Sequence, residues 1–125
     1  MNQESVRQRK AADKIKEIVS VIIDREIKDP DKGFVTVTNV KITPDLRLAS
    51  VYFTALGDDE ARKKSLSTLN RAKSFIRNEM APLLKMRFVP DLRFFADDTL
   101  DYAMKIEELI KRAKAEDEKL GNNDD

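Results

Sequence analysis

The chain of 125 residues contains no cysteine and no histidine. Without cysteine it can form neither disulfides nor thiolate metal sites. Without histidine it lacks the commonest metal ligand and the commonest general base at neutral pH. No apolar run is long enough to span a bilayer, and polar residues follow Met1 where a signal peptide would be apolar. We therefore expect a cytoplasmic protein with no cofactor, no membrane segment and no small-molecule substrate.

Charge is balanced in total but unevenly distributed along the chain. The 24 basic and 23 acidic residues leave a net charge of +1. Residues 1–16 carry +3 and residues 60–93 carry +6, whereas residues 17–59 carry −3 and residues 94–125 carry −5. Such asymmetry can create a basic face on a neutral protein, which favours contact with nucleic acid. The alternative is that these charges only solvate the outer faces of helices.

The first element is predicted to be a helix from about residue 5 to residue 28. Ser5 and Gln8 have the spacing of a capping box, and Pro30 disfavours helical backbone just before it. Apolar residues recur between these points at helical spacing. They are Ala11, Ile15, Ile18, Val19 and Ile22.

Two strands are predicted next, over residues 34–42 and 48–56, as an antiparallel pair. The alternation of the first is imperfect, which indicates a bulge near Asn39 or burial on both faces. The segment Thr43-Pro44-Asp45 has turn chemistry. In the second strand one face is apolar, formed by Ala49, Val51, Phe53 and Ala55.

A second helix, a third strand and a last helix follow. The second helix begins after Gly57-Asp58-Asp59, and Pro82 is expected to kink or end it. Residues 88–96 are predicted to form the third strand, which Pro90 interrupts near its start. The second helix has apolar positions at Leu66, Leu69, Ala72, Ile76, Met80 and Leu83, and the last helix at Ala103, Ile106, Ile110 and Ala113.

This order of elements, α-β-β-α-β-α, predicts an α+β domain with a three-stranded mixed sheet and helices on one face. We assign one domain to residues 1–120 and expect residues 121–125 to form a disordered acidic tail. The acid pairs Asp58-Asp59 and Asp97-Asp98 are interpreted as helix N-caps rather than as metal or acid–base groups. No nucleophile–base pair is present, so no enzymatic activity is expected.

Several short motifs occur in a characteristic order along the chain. They are Lys28-Asp29-Pro30, Gly33-Phe34-Val35-Thr36-Val37-Thr38, Pro44-Asp45-Leu46, Ala49-x-Val51-Tyr52, Phe75-Ile76-Arg77 and Met86-Arg87-Phe88-Val89-Pro90-Asp91-Leu92-Arg93-Phe94, followed by Asp97. Each motif alone is weak, but their joint order and spacing are specific. Over nearly its whole length the chain resembles the ribosome-binding factor A family.

The resemblance implies a type II KH-like fold, α-β-β-α(kink)α-β with a C-terminal helix. It implies binding to the free small (30S) ribosomal subunit and a role in late processing and folding of 16S rRNA, of most importance in the cold. It also implies a kinked helix in place of the GXXG loop of standard KH domains. The kink is typically at Ala-x-Gly, which here reads Ala72-Lys73-Ser74. Asp31 departs from the arginine usual in the family.

These expectations converge on a monomeric RNA-binding protein whose basic residues contact phosphates. The predicted contacts are Arg7, Arg9, Lys10, Lys14, Lys64, Arg71, Lys73, Arg77, Lys85 and Arg87, with Ala72 and Ser74 at the kink. Tyr52 and Phe95 lie out of phase with the inward residues of their strands, so they either stack bases or pack against a neighbouring helix or loop. The alternative function is a protein–protein interaction module whose basic helices bind an acidic partner.

Overall fold

The structure is a computed structural model and describes residues 4–97 and 111–113. Its elements are α1 (Val6–Glu26), a short 3-10 helix (Pro30–Lys32), β1 (Val35–Ile42), β2 (Leu48–Ala55), α2 (Asp59–Arg71), α3 (Lys73–Leu84) and β3 (Asp91–Ala96). Residues 111–113 are helical, and Ala113, predicted on an apolar face, is exposed. The rest of the predicted last helix and the tail 121–125 lie outside the described residues.

The three strands form the mixed sheet that was predicted, and their order in it is β1-β2-β3. β1 and β2 are antiparallel neighbours, whereas β2 and β3 are parallel, with Val51 opposite Phe94. Parallel neighbours cannot be joined by a hairpin, so α2 and α3 form the crossover between them. The register of β1 shifts between Val37 and Asn39, which decides in favour of the predicted bulge.

The core lies between one face of this sheet and the helices. Alternate residues of β2 and β3 point into it, and Val51 and Phe53 are completely buried. α1 packs mainly on β1 and on α3. Its contribution to the core consists of Ala12, Ile15, Ile18, Val19, Ile22 and Ile23. The fold class predicted from the sequence is therefore confirmed.

α1 begins as predicted but ends two residues earlier. The Ser5 hydroxyl accepts a hydrogen bond from the Gln8 backbone N–H, and the Gln8 side chain accepts one from the Ser5 N–H, which completes the capping box. At the other end Ile27 turns to extended backbone and is buried. The Lys32 ammonium donates to the carbonyl of Ile23 at 3.0 Å, which satisfies one of the carbonyls left open by the helix end.

The second predicted helix is two helices, interrupted at Ala72, where the kink was expected. α3 also continues two residues past Pro82, because the fixed φ of proline is compatible with helical backbone. The buried positions of α3 are four residues apart, at Ile76, Met80 and Leu84. Leu83, which the sequence places among the apolar positions of this helix, lies about 100° away from Leu84 around the helix and is exposed.

β3 begins at Asp91, three residues later than predicted. Pro90 has no N–H to offer a neighbouring strand, so pairing with β2 starts only after it. Residues 85–90 instead form a loop between α3 and β3. Within β3 the predicted orientation is correct, because Leu92 and Phe94 are buried while Arg93 and Phe95 are exposed.

Replacing Phe53 by Ala should lower the free energy of unfolding by about 3–5 kcal/mol, because the ring is fully buried and its loss leaves a cavity. Replacing Phe34 by Ala, at a position 78% exposed, should change it by less than about 0.5 kcal/mol. Urea denaturation followed by circular dichroism measures both. Equal effects of the two substitutions would contradict this description of the core.

Candidate nucleic-acid interface

An open groove of about 860 Å³ lies where three segments of the fold meet. The segments are the first turns of α1, the turn between β1 and β2, and the loop between α3 and β3. The groove is lined by Arg7, Lys10, Ala11, Lys14, Asp45, Leu46, Arg47, Leu84, Met86, Arg87 and Phe88. We call it the basic groove.

One wall of the basic groove is a stripe of cations on α1. Arg7, Lys10 and Lys14 are three and four residues apart, so they lie on one face of the helix, and all three are exposed. The start of α1 is held against the sheet by Gln8, whose side-chain amide donates to the carbonyl of Ile42 at 3.0 Å. The stripe is thereby fixed next to the end of β1.

The second wall is the turn between β1 and β2, which hydrogen bonds make stiff. One carboxylate oxygen of Asp45 accepts from the Thr43 hydroxyl at 2.6 Å and from the Arg47 N–H at 3.2 Å. The Thr43 hydroxyl also accepts from the N–H of Leu48. Leu46 takes left-handed backbone, with φ of 61°. The Thr43 hydrogen bond, the Arg47 N–H and the Arg47 charge hold the pKa of the Asp45 carboxyl below its usual value, so it is ionised at neutral pH.

The third wall is the loop at residues 85–90, which Arg77 clamps from α3. Its guanidinium donates to the carbonyls of Val89 at 2.8 Å and Pro90 at 3.2 Å, and lies 3.4 Å from the carboxylate of Asp91. Lys85 ends α3 in left-handed backbone and so turns the chain into the loop. Arg77, predicted as an RNA contact, thus has a structural role that sequence reasoning missed.

Phe88 stands at the edge of the basic groove beside two guanidinium groups. The Cζ atoms of Arg47 and Arg87 lie over its ring, 5.1 and 5.7 Å from the ring centre. Phe88 is nevertheless 56% exposed. Neither Arg47 nor Phe88 was predicted as a site residue. The sequence did contain a signal for Phe88, because it directly follows Arg87 in the most basic segment of the chain, residues 60–93.

Taken together, the basic groove presents five cationic side chains and one carboxylate around an apolar floor. Guanidinium and ammonium groups bind phosphate oxygens, and an exposed ring can stack on a base. In the part of the chain spanning residues 4–97 and 111–113, no three acidic side chains converge as a metal site would require. Within the same ranges no helix has the length and hydropathy needed to cross a membrane.

The structure brings only some of the predicted contacts together. Arg7, Lys10, Lys14 and Arg87 line the basic groove, whereas Arg9, Lys64 and Lys85 are exposed but do not line it. A second, smaller groove of about 520 Å³ follows the helix interruption. Among its lining residues are Lys73, Ser74, Arg77, Asn78 and Arg93.

Arg71 belongs to neither groove. It lies on the outer face of α2 near Lys63 and Ser67. Its guanidinium reaches the Thr68 hydroxyl at 3.4 Å and the Asp29 carboxylate at 3.9 Å. Of the ten predicted contacts, four therefore line the basic groove, two line the second groove and four line neither.

The remaining polar and aromatic candidates have local roles. Tyr52 and Phe95 stack on each other, with ring centres 5.4 Å apart. Asp58 caps α2 as predicted, accepting from the N–H of Ala61 at 2.9 Å. The Asp97 carboxylate accepts from the Thr38 hydroxyl at 2.8 Å, a contact across the sheet that sequence reasoning did not foresee. Asp98 lies outside the described residues.

The order of elements, the mixed sheet and the interrupted helix define the class of small KH-like α+β domains, here with a basic groove. A sequence profile of ribosome-binding factor A matches residues 7–110. The chain belongs to the ribosome-binding factor A family.

Relatives of this name share almost half of their residues with the chain. Ribosome-binding factor A of Macrococcus caseolyticus is 47% identical over 106 residues, which is 85% of this chain and 93% of the relative. That of Citrifermentans bemidjiense is 47% identical over 112 residues, which is 90% of this chain and 94% of the relative. The similarity thus extends over nearly the full length of both chains.

Solved structures agree with the fold. The crystal structure of ribosome-binding factor A from Thermus thermophilus superimposes with a TM-score of 0.64 at 25% identity, covering 71% of this chain and 94% of that one. A homology model of the Thermus thermophilus protein, fitted into a cryo-EM map of a 30S complex, gives a TM-score of 0.57 at 27% identity. The match covers 67% of this chain and 88% of that one.

Replacing Arg77 by Ala should lower the free energy of unfolding by about 1–2 kcal/mol, because two loop carbonyls lose a charged donor. Replacing Arg9 by Ala, on the exposed surface of α1, should change it by less than about 0.5 kcal/mol. Denaturant titration of both variants is the measurement. Equal stability of the Arg77 variant and the parent would show that Arg77 does not clamp the loop.

Proposed function

We propose that the protein binds the free small (30S) ribosomal subunit through the basic groove and supports late maturation and processing of 16S rRNA in the cytoplasm. The observation that carries this proposal is that five cationic side chains line one groove in a chain of net charge +1. Membership of the ribosome-binding factor A family supports it. So does the complex with 30S in which the Thermus thermophilus relative was fitted.

Binding alone accounts for such a role. Cations that neutralise phosphates release condensed counterions, which favours association. A protein that binds one arrangement of an RNA more tightly than its competitors shifts the population towards that arrangement. The proposed contribution to maturation, including maturation in the cold, is this shift. Nucleases would cleave the 16S rRNA precursor, so this role requires no catalytic group of the protein.

The test compares two pairs of substitutions on the same helix. Changing Arg7 and Lys10 to Gln removes two charges from the basic groove, whereas changing Lys16 and Arg25 to Gln removes two exposed charges that do not line it. The first pair should weaken binding and flatten the slope of log affinity against log salt by roughly 1.4 to 1.8, because each phosphate contact contributes about 0.7 to 0.9. The second pair should leave the slope within error of the parent.

Affinity is measured by co-sedimentation with purified 30S subunits at several salt concentrations, after circular dichroism has shown that both variants are folded. Equal affinity and equal salt slope for both pairs and the parent would refute the proposed use of the groove. Binding that persists with an RNA-free preparation of subunit proteins would instead favour the protein–protein alternative.

A further inference from the structure

Phe88 is an exposed aromatic residue that does not belong to the hydrophobic core. It sits on a clamped loop and is 56% exposed, and the guanidinium groups of Arg47 and Arg87 lie over its ring at 5.1 and 5.7 Å from the ring centre. A base that stacks on the ring takes the place of one of these guanidinium contacts. Aromatic rings at the edge of a cationic groove stack with nucleobases, and each base has a π face available for this. We propose that the basic groove binds an unpaired nucleotide whose base stacks on Phe88. This inference rests on the proposed function and specifies the kind of RNA that the groove accepts.

The floor of the basic groove favours an unpaired nucleotide over a regular duplex. Ala11, Leu46 and Met86 are half-buried there and Leu84 is buried. A duplex presents phosphates and sugars on its outside and keeps its bases stacked inside, so it would leave this floor uncovered. An unpaired base is flat and largely apolar on its faces, and it can reach the floor once it is splayed out of a strand.

The cations lie where the backbone of such a nucleotide would need them. Arg7, Lys10 and Lys14 line the groove from α1, and Arg47 and Arg87 line it from the other two segments. A nucleotide whose base contacts Phe88 therefore lies in the same groove as five cations that can bind its own and the neighbouring phosphates. The volume of about 860 Å³ falls within the range of roughly 300–1,000 Å³ that suits small organic ligands.

The site is also stiff, which reduces the entropy lost on binding. The Asp45 carboxylate and the Thr43 hydroxyl fix the turn that carries Arg47. Arg77 holds the two residues that follow Phe88. The two walls are joined directly, because the N–H of Asp91 donates to the carbonyl of Arg47 at 2.8 Å. The backbone that carries Phe88 and Arg47 is thus held in place before any ligand arrives.

Phe34 provides a matched control for Phe88. It is an exposed phenylalanine, 78% accessible, and it does not line the basic groove. In the described ranges 4–97 and 111–113, Phe88 is the one ring with two guanidinium groups over it. Replacing either ring by Leu retains an apolar side chain and removes the π face.

The experiment measures fluorescence anisotropy of a labelled, unstructured single-stranded RNA and of a blunt duplex of the same sequence. Phe88→Leu should weaken single-strand binding by up to roughly 5- to 150-fold, the range found when an aromatic stacking partner is removed, and leave the salt slope unchanged. Phe88→Trp should bind at least as tightly as the parent, and Phe34→Leu should match the parent. The parent should prefer the single strand to the duplex.

The outcomes separate this inference from the proposed function. If the parent does not co-sediment with 30S subunits, the proposed function fails whatever the oligonucleotides do. If the parent co-sediments but Phe88→Leu binds single strands and subunits as tightly as the parent, the stacking site is overturned and the proposed function stands. A parent that binds the duplex as tightly as the single strand, or binds neither, also overturns the stacking site.

Discussion

The parallel pairing of β2 with β3 is the constraint on which the arrangement of the surface depends. It requires a crossover, and the chain makes it with α2 and α3 before it enters β3 at the same end of the sheet at which β2 begins. Leu48 is consequently opposite Asp91, and the N–H of Asp91 bonds the carbonyl of Arg47. The turn before β2 and the loop before β3 become neighbours, and α1 closes the third side. The basic groove follows from this topology.

Hydrogen bonds then stiffen what the topology brings together. The guanidinium of Arg77 donates hydrogen bonds to two carbonyls of the loop before β3. The carboxylate of Asp45 accepts hydrogen bonds from Thr43 and Arg47 within its own turn. Two charged residues near the groove are thus occupied in positioning its walls, and other cations remain available for a ligand. Because the cations that remain available are concentrated in one groove, a net charge of +1 for the whole chain does not argue against binding RNA. The relevant quantity is the local excess of cations over the single carboxylate in the groove.

Much of the fold could be predicted from the sequence because its signals are local. The capping box at Ser5, the bulge near Asn39, the N-cap at Asp58 and the inward residues of β2 each depend on neighbours a few positions away. The exposure of Leu83 was missed because it depends on which face of α3 packs against the core. The start of β3 was placed three residues too early, although Pro90 marks it locally. The site was harder still. Charge density pointed to the segments that supply Arg7, Lys10, Lys14 and Arg87, but not to Arg47, which lies in an acidic segment. Arg77 and Arg87 come from the same basic segment, and only tertiary contacts distinguish the residue that clamps the loop from the one that lines the groove.

The central claim is that the basic groove is the surface that contacts ribosomal RNA. This groove lies where α1, the turn between β1 and β2 and the loop at residues 85–90 meet. A cryo-EM reconstruction of this protein bound to the free small subunit measures that directly. The account predicts RNA density within contact distance of Lys10, Arg47 and Phe88. One nucleotide should be unpaired, with its base stacked on the ring of Phe88. A reconstruction in which the groove faces solvent or a ribosomal protein, and RNA lies against another surface of the domain, would contradict it.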